Sequence, residues 1–141
     1  MARMTAEEWR QLVLEKPRPA IAAVVVDGDR PLATPVWIDL DGDQIVFTTN
    51  RKSAKGRALE RNPAITIVVQ DDVPPFSFVI FQGTASLTAD PTELRKWAGR
   101  LGGRYMGADR IPDYAARNGG PGEVLVRVTA TRIIAERAVA S

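Results

Sequence analysis

The segment Val46-Phe47-Thr48-Thr49-Asn50-Arg51-Lys52-Ser53-Ala54-Lys55-Gly56-Arg57 changes character halfway along. Ile45 and Phe47 alternate with other residues up to Thr49, which predicts a strand. From Ser53 the residues suit a helix, and Asn62-Pro63 ends it after Arg61, because a residue before proline is driven out of helical geometry. A strand that delivers Thr48 and Thr49 to a helix capped by Ser53 sets free backbone N–H groups beside Lys55 and Arg57. Free donors and cations together form an anion site. Arginine grips phosphate oxygens with two donors and lysine adds a compact charge, so the pair suits a phosphate better than a lone carboxylate. Cations at a helix N-terminus oppose the macrodipole, so their presence calls for a reason. A capped surface helix with solvated cations is the competing reading of the same spacing.

Outward from this segment the pattern is mainly strand. On its N-terminal side, Ala20 to Val26 is apolar and β-branched, Asp27-Gly28-Asp29 is a turn, and Leu32 to Leu40 resumes an extended pattern. Asp41-Gly42-Asp43 is a second turn, so these strands and Gln44 to Thr49 are predicted to form a three-stranded meander. Thr5-Ala6-Glu7-Glu8 has capping-box spacing and opens a short helix, with Trp9, Leu12 and Val13 as its apolar stripe, that ends before Pro17. On the C-terminal side, Ala64 to Val69 and Phe76 to Leu87 read as the fourth and fifth strands, separated by a proline loop. Asp90, Pro91 and Glu93 start a further helix as N-cap, first helical residue and box partner, and Leu94, Trp97, Ala98 and Leu101 give it one apolar face. Gly102 to Gly122 reads as a long Gly-, Pro- and Arg-rich loop before a last strand, Glu123 to Ala135. The expectation is a single domain over residues 1–141, mainly β, built as a six-stranded barrel with short helices. Phe76, Phe78 and Phe81 bring more apolar surface than so small a barrel hides alone, which points to a dimer.

Composition narrows the chemistry. The 141 residues contain neither cysteine nor histidine, which excludes thiolate catalysis and removes the commonest general base and metal ligand. No serine-nucleophile elbow, phosphate loop of the Walker type or metal-ligand spacing is present. An enzyme built from these residues needs a cofactor to carry its reaction. The acids fall mainly in turns, where they bond the backbone, and none is given a catalytic role. Net charge is +2, and fifteen of the nineteen basic residues are arginine. Only Arg51 to Arg61 is dense in cations, one cluster and not the stripe that nucleic-acid binding requires. The longest apolar run, Ala20 to Val26, is far short of a membrane span, so a cytoplasmic protein is expected.

A second segment stands out, Ala33-Thr34-Pro35-Val36-Trp37-Ile38. Proline removes a ladder donor, so Pro35 marks a sheet edge or an opening where a flat ligand can lie against the backbone. Burial of Trp37 in the core is the other reading.

On Thr-Thr-Asn followed by Ser-x-Lys, and on the order of elements, the chain resembles the pyridoxamine-phosphate-oxidase-like split β-barrel superfamily of flavin proteins. The patterns Thr-Pro-Val-Trp, Ser-Ala-Lys-Gly-Arg and Arg-Tyr-Met-Gly look more like its F420-dependent flavin/deazaflavin oxidoreductase B group. The resemblance covers about Ala20 to Val128. It implies coenzyme F420 as cofactor, with FMN as the alternative, and a homodimer with the cofactor near the interface. It further implies that Thr48 and Thr49 contact the ring or ribityl chain, that Ser53, Lys55 and Arg57 hold phosphate, and that Pro35, Val36 and Trp37 lie beneath the ring. Phe78 matches a position that reaches the cofactor bound mainly by the other subunit. The implied reaction is hydride transfer between reduced deazaflavin and an unsaturated small molecule, with Tyr105, Tyr114 or solvent as proton source. A noncatalytic carrier of the same cofactor is the rival from a different class. The C-terminal substrate region of true pyridoxamine-phosphate oxidases has no counterpart here, and Ala54 stands where a basic residue is common there, so vitamin B6 oxidation is not implied.

Overall fold

The computed structural model describes residues 2–141 and contains eight strands and four α-helices. In chain order these are β1 (Ala2–Arg3), α1 (Ala6–Leu14), β2 (Ala20–Val25), β3 (Pro31–Val36), β4 (Asp39–Asp41), β5 (Gln44–Asn50) and α2 (Ala54–Arg61). They continue with β6 (Ala64–Gln70), β7 (Phe78–Thr88), α3 (Pro91–Met106), a 3₁₀ turn (Ala108–Arg110), α4 (Ile111–Asn118) and β8 (Glu123–Arg137).

All neighbouring strands are antiparallel, in the order β3-β2-β6-β7-β8-β5-β4, with β1 added to β8. The two ends of this path, β3 and β4, are consecutive in the chain and joined only by Trp37 and Ile38. Three peptide steps reach at most about 11 Å, so the sheet has to curl until its two ends nearly meet. The result is a barrel split between β3 and β4, and this corrects the six-strand count and the meander. Leu32 to Leu40 is two strands at opposite ends of the sheet, because the chain crosses the split at Trp37-Ile38. Gly28 and Gly42 make the predicted turns with φ of +63° and +61°, values that cost glycine little.

The interior is one apolar cluster that includes Ala22, Val24, Ile38, Phe47, Ile67, Phe81 and Val126. Helix α1 seals it with Trp9, Leu12 and Val13, and the Thr5–Glu8 capping box is formed in full. Strand β5 is buried on both faces. Ile45 and Phe47 point inward, while Val46 joins Leu94, Trp97 and Leu125 in a smaller cluster beneath α3. Asp90 caps α3 as expected, but Glu93 turns away from the cap to the guanidinium of Arg127, which also binds Asp41 at 2.6 Å. A charged partner outbids the backbone N–H for that carboxylate.

The region from Gly102 to Gly122 is not a loop. Helix α3 continues to Met106, and α4 follows after a tight turn. Phe76 is not in a strand either, since its φ is +64° and β7 begins at Phe78. No helix among the described residues is long and apolar enough to cross a membrane.

Candidate functional site

Strand β3 pairs with β2 alone, so Pro35 lies on a free sheet edge where its missing N–H interrupts no second ladder. Beside this edge is a cleft of about 520 Å³, walled by Pro35, Val36 and Trp37 on one side and by Thr48 and Lys55 from the β5–α2 junction. Pro19 ahead of β2, Leu101 and Met106 of α3, and Tyr114, Arg117 and Asn118 of α4 complete it. This is the size of an ordinary small-molecule or cofactor site. A second hollow, of about 400 Å³, lies along β1 and β8 around Trp9 and Arg132. None of the strand-to-helix residues reaches it.

Trp37 is half-buried and is held from two directions. Tyr105 stacks on it at 5.2 Å with 9° between the planes, and Tyr114 meets it edge-on at 5.3 Å. The Tyr105 hydroxyl donates to the Arg18 carbonyl at 2.6 Å and accepts from the Ile38 N–H at 3.1 Å. Its proton is therefore engaged, and the residue acts by fixing the Trp37 plane. Tyr114 is buried, with Arg110 and Arg117 at 5.3 and 5.7 Å from its ring centre.

At the β5–α2 junction, the Ser53 hydroxyl accepts from the Gly56 N–H at 3.0 Å and donates to the Asn50 carbonyl at 2.7 Å, with the Thr49 hydroxyl 3.2 Å away. Both hydroxyls thus serve the turn. Helix α2 presses so closely on this turn that a Cβ on Gly56 would lie 2.3 Å from the Asn50 carbonyl oxygen. Only glycine fits there. Lys55 leans the other way, into the cleft, where its ammonium donates to Thr34 Oγ1 at 2.9 Å. Burial holds its pKa below the usual lysine range. The folded state therefore binds this proton less tightly than the unfolded chain does. That penalty on stability is full below the folded pKa and is relieved as pH rises past it.

The structure brings together Pro35, Val36, Trp37, Thr48 and Lys55 in the cleft. Thr49 is buried behind the junction and Ser53 is at the cap. Arg57 is exposed on another face of α2, beside a small pocket of about 230 Å³ with Val26, Asp27, Ala54 and Arg61. Phe78 starts β7, half-buried between Gln70 and Glu136, and does not line the cleft. Sequence reasoning missed Pro19, Thr34, Leu101, Met106 and Asn118. Thr34 adjoins Pro35 in the chain, but its meeting with Lys55 is made by the fold, and Met106 required α3 to continue through Gly102 and Gly103.

A small split β-barrel with a positively charged, aromatic-walled cleft at its open edge is the class that these features define. The chain belongs to the pyridoxamine 5'-phosphate oxidase family, which it matches over residues 5–136. Among solved structures it is similar to the conserved hypothetical protein Rv2991 from Mycobacterium tuberculosis, with 23% identity, TM-score 0.84, and 98% of this chain and 89% of that one covered. It is also similar to an F420 reductase, with 26% identity, TM-score 0.71, and 87% and 94% covered. An FAD-binding protein from Mesorhizobium loti shares the fold at 14% identity and TM-score 0.71, with 95% and 93% covered. No curated protein sequence matches the chain.

Proposed function

We propose that the chain is a homodimeric oxidoreductase that holds coenzyme F420 in the 520 Å³ cleft and transfers hydride between the reduced deazaflavin and an unsaturated small molecule. One observation carries this reading. The cleft is walled by the Trp37 and Tyr114 rings and entered by the Lys55 ammonium from the strand-to-helix junction, with no carboxylate among its lining residues. A flat, anionic group fits such a lining. In this reading Lys55 holds the phosphate, Thr48 offers a hydroxyl to the ring or ribityl chain, and Pro35, Val36 and Trp37 support the ring. Thr49 and Ser53 shape the junction, Arg57 adds long-range attraction, and Phe78 contributes across the dimer. When bound, the deazaflavin supplies the hydride chemistry, while the protein orients the reactants and excludes water. The likeness to an F420 reductase supports F420. FMN is the second reading, supported by the family to which the chain belongs.

Lys55→Met is expected to weaken F420 binding by about 2 kcal/mol, close to 30-fold, because one charge-assisted contact is lost. An anion binds the protonated ammonium, so wild-type affinity stays flat near neutrality and falls above the lowered Lys55 pKa, by up to about tenfold per pH unit. The variant loses this alkaline fall. Fluorescence titrations from neutral to alkaline pH measure both, and unchanged affinity in Lys55→Met removes Lys55 from the site. Tight F420 binding with no oxidation of the reduced coenzyme by any of a panel of enones and quinones identifies a carrier instead.

The dimer rests on an exposed apolar face. Of the three phenylalanines that suggested it, Phe81 is fully buried, and Phe76 is 44% exposed beside Val73 and Val139. The Val139 N–H bonds the Phe76 carbonyl at 2.8 Å, which holds the two segments together. Phe76→Asp places a charge in that face while tolerating the positive φ. Wild-type protein is expected to sediment as twice 15.4 kDa and the variant as the monomer. A monomeric wild type ends the dimer proposal.

A further inference from the structure

Four arginines fall between residues 100 and 117, and three are engaged elsewhere. Arg100 lies against the Trp97 ring at 4.4 Å, outside the cleft. Arg104 donates to the carbonyls of Val13 at 2.6 Å and Lys16 at 3.1 Å, closing the C-terminal end of α1. Arg110 is paired with Asp113 at 2.8 Å. Arg117 alone of the four lines the cleft, with Asn118 next to it. The ion pairs among the described residues use Arg10, Arg18, Arg51, Arg110, Arg127 and Arg137, so no acid holds Arg117. Its place in the last turn of α4 is one that the helix dipole favours for a cation. That explains why a charge is tolerated there, and leaves open why it borders an apolar cleft.

The two cations reach the cleft from different elements, Lys55 from α2 and Arg117 from α4. Lys55 is already bonded to Thr34 at 2.9 Å, which orients it as a single point charge. Arg117 keeps a planar set of donors suited to gripping a carboxylate with two parallel hydrogen bonds, and Asn118 adds an amide beside it. Trp37, Leu101, Met106 and Tyr114 line the same cleft. Phosphate at Lys55 therefore leaves a second anion position over an apolar floor.

We infer that Arg117, assisted by Asn118, is the specificity-determining anchor for the substrate, and that the substrate is a flat, unsaturated molecule carrying a carboxylate. This rests on the function proposed above, in which Lys55 serves the cofactor. Carboxylates on the cofactor's own tail share the same chemistry, and the test separates the two sources.

The experiment measures binding of 2-naphthoate and of its neutral match, 2-naphthamide, to wild type, Arg117→Gln, Arg117→Lys and Lys55→Met. Affinities for F420 and FMN are measured on the same proteins. Wild type is expected to prefer naphthoate by at least about tenfold, the size of one charge-assisted contact. Arg117→Gln should bind both probes alike, Arg117→Lys should recover part of the preference, and Lys55→Met should keep it. F420 and FMN affinities should stay within about twofold in Arg117→Gln, a margin well below one lost charge-assisted contact. Arg117 is exposed, so its substitution leaves the core intact. The inference is overturned if naphthoate shows no binding or no preference, or if the preference survives in Arg117→Gln or disappears in Lys55→Met. Equal losses of F420 and naphthoate in Arg117→Gln overturn it too, by giving Arg117 to the cofactor tail. If wild type binds neither F420 nor FMN yet keeps an Arg117-dependent preference, the cofactor reading fails and the carboxylate anchor stands.

Discussion

Phe81→Ala is expected to lower the free energy of unfolding by about 3–5 kcal/mol, the range for truncating a fully buried aromatic side chain. Phe81 is 0% exposed, and its ring meets Trp9 edge-on at 5.1 Å. It sits on β7 between Ile67 of β6 and Ile133 of β8, so its contact with Trp9 helps fasten α1 to the centre of the sheet. Removing it leaves a hole that the flanking strands, tied by ladder hydrogen bonds, are poorly placed to fill. The edge-to-face pair is also lost, worth roughly 0.5–1.5 kcal/mol beyond its buried area. A domain whose total stability is about 5–15 kcal/mol loses a large share of it. Urea unfolding of the two proteins gives the difference, and a loss under about 1 kcal/mol would mean that the strands close the hole after all. Phe81 does not line the cleft. Ligand affinity measured well below the unfolding midpoint should therefore not change.

Local chemistry was legible in the sequence and long-range closure was not. The Thr5 capping box, the Gly28 and Gly42 turns and the Asp90-Pro91 helix start each depend on residues within a few positions of one another, and each forms as read. Val36, Ile38 and Leu40 alternate as a strand should, so nothing local marks the point at which the chain leaves one end of the sheet for the other. Glu93 has the spacing to close its box, but Arg127, 34 residues away, competes for the same carboxylate. At the site, the cluster of cations was visible, whereas its division was not. Lys55 and Arg57 are two residues apart on a helix, about 200° around the axis, and so face different pockets. Gly102 and Gly103 misled most. In a linear reading they break a helix, but in the fold they are the surface on which a second helix rests.

Gly102→Val tests that surface. A Cβ at residue 102 would lie 2.2 Å from Tyr114 Cβ and 2.5 Å from Tyr114 Cγ, and one at Gly103 would lie 2.5 Å from Ile111 Cγ1. Helices α3 and α4 are in contact only because these positions lack side chains. Turning the Tyr114 ring cannot relieve a contact with its Cβ, so valine forces α4 away from α3. That loses the edge contact with Trp37 and carries Arg117 and Asn118 out of the cleft. Overpacking of this kind costs about 3 kcal/mol at its upper end, and backbone so close to Tyr114 Cβ puts this site there. Neither residue 102 nor residue 114 belongs to the barrel's apolar cluster, so the damage should stay local. Amide exchange is expected to quicken across residues 108–118 while β6, β7 and β8 keep their protection, and F420 and naphthoate affinities should fall together. Uniform loss of protection would instead make α4 part of the cooperative core. A double variant with Tyr114→Gly separates the causes. Removing the side chain from Cβ outward relieves the clash, so stability should recover by more than the sum of the two single changes allows. Affinity should not recover, because the aromatic wall that Tyr114 builds beside Trp37 is then absent.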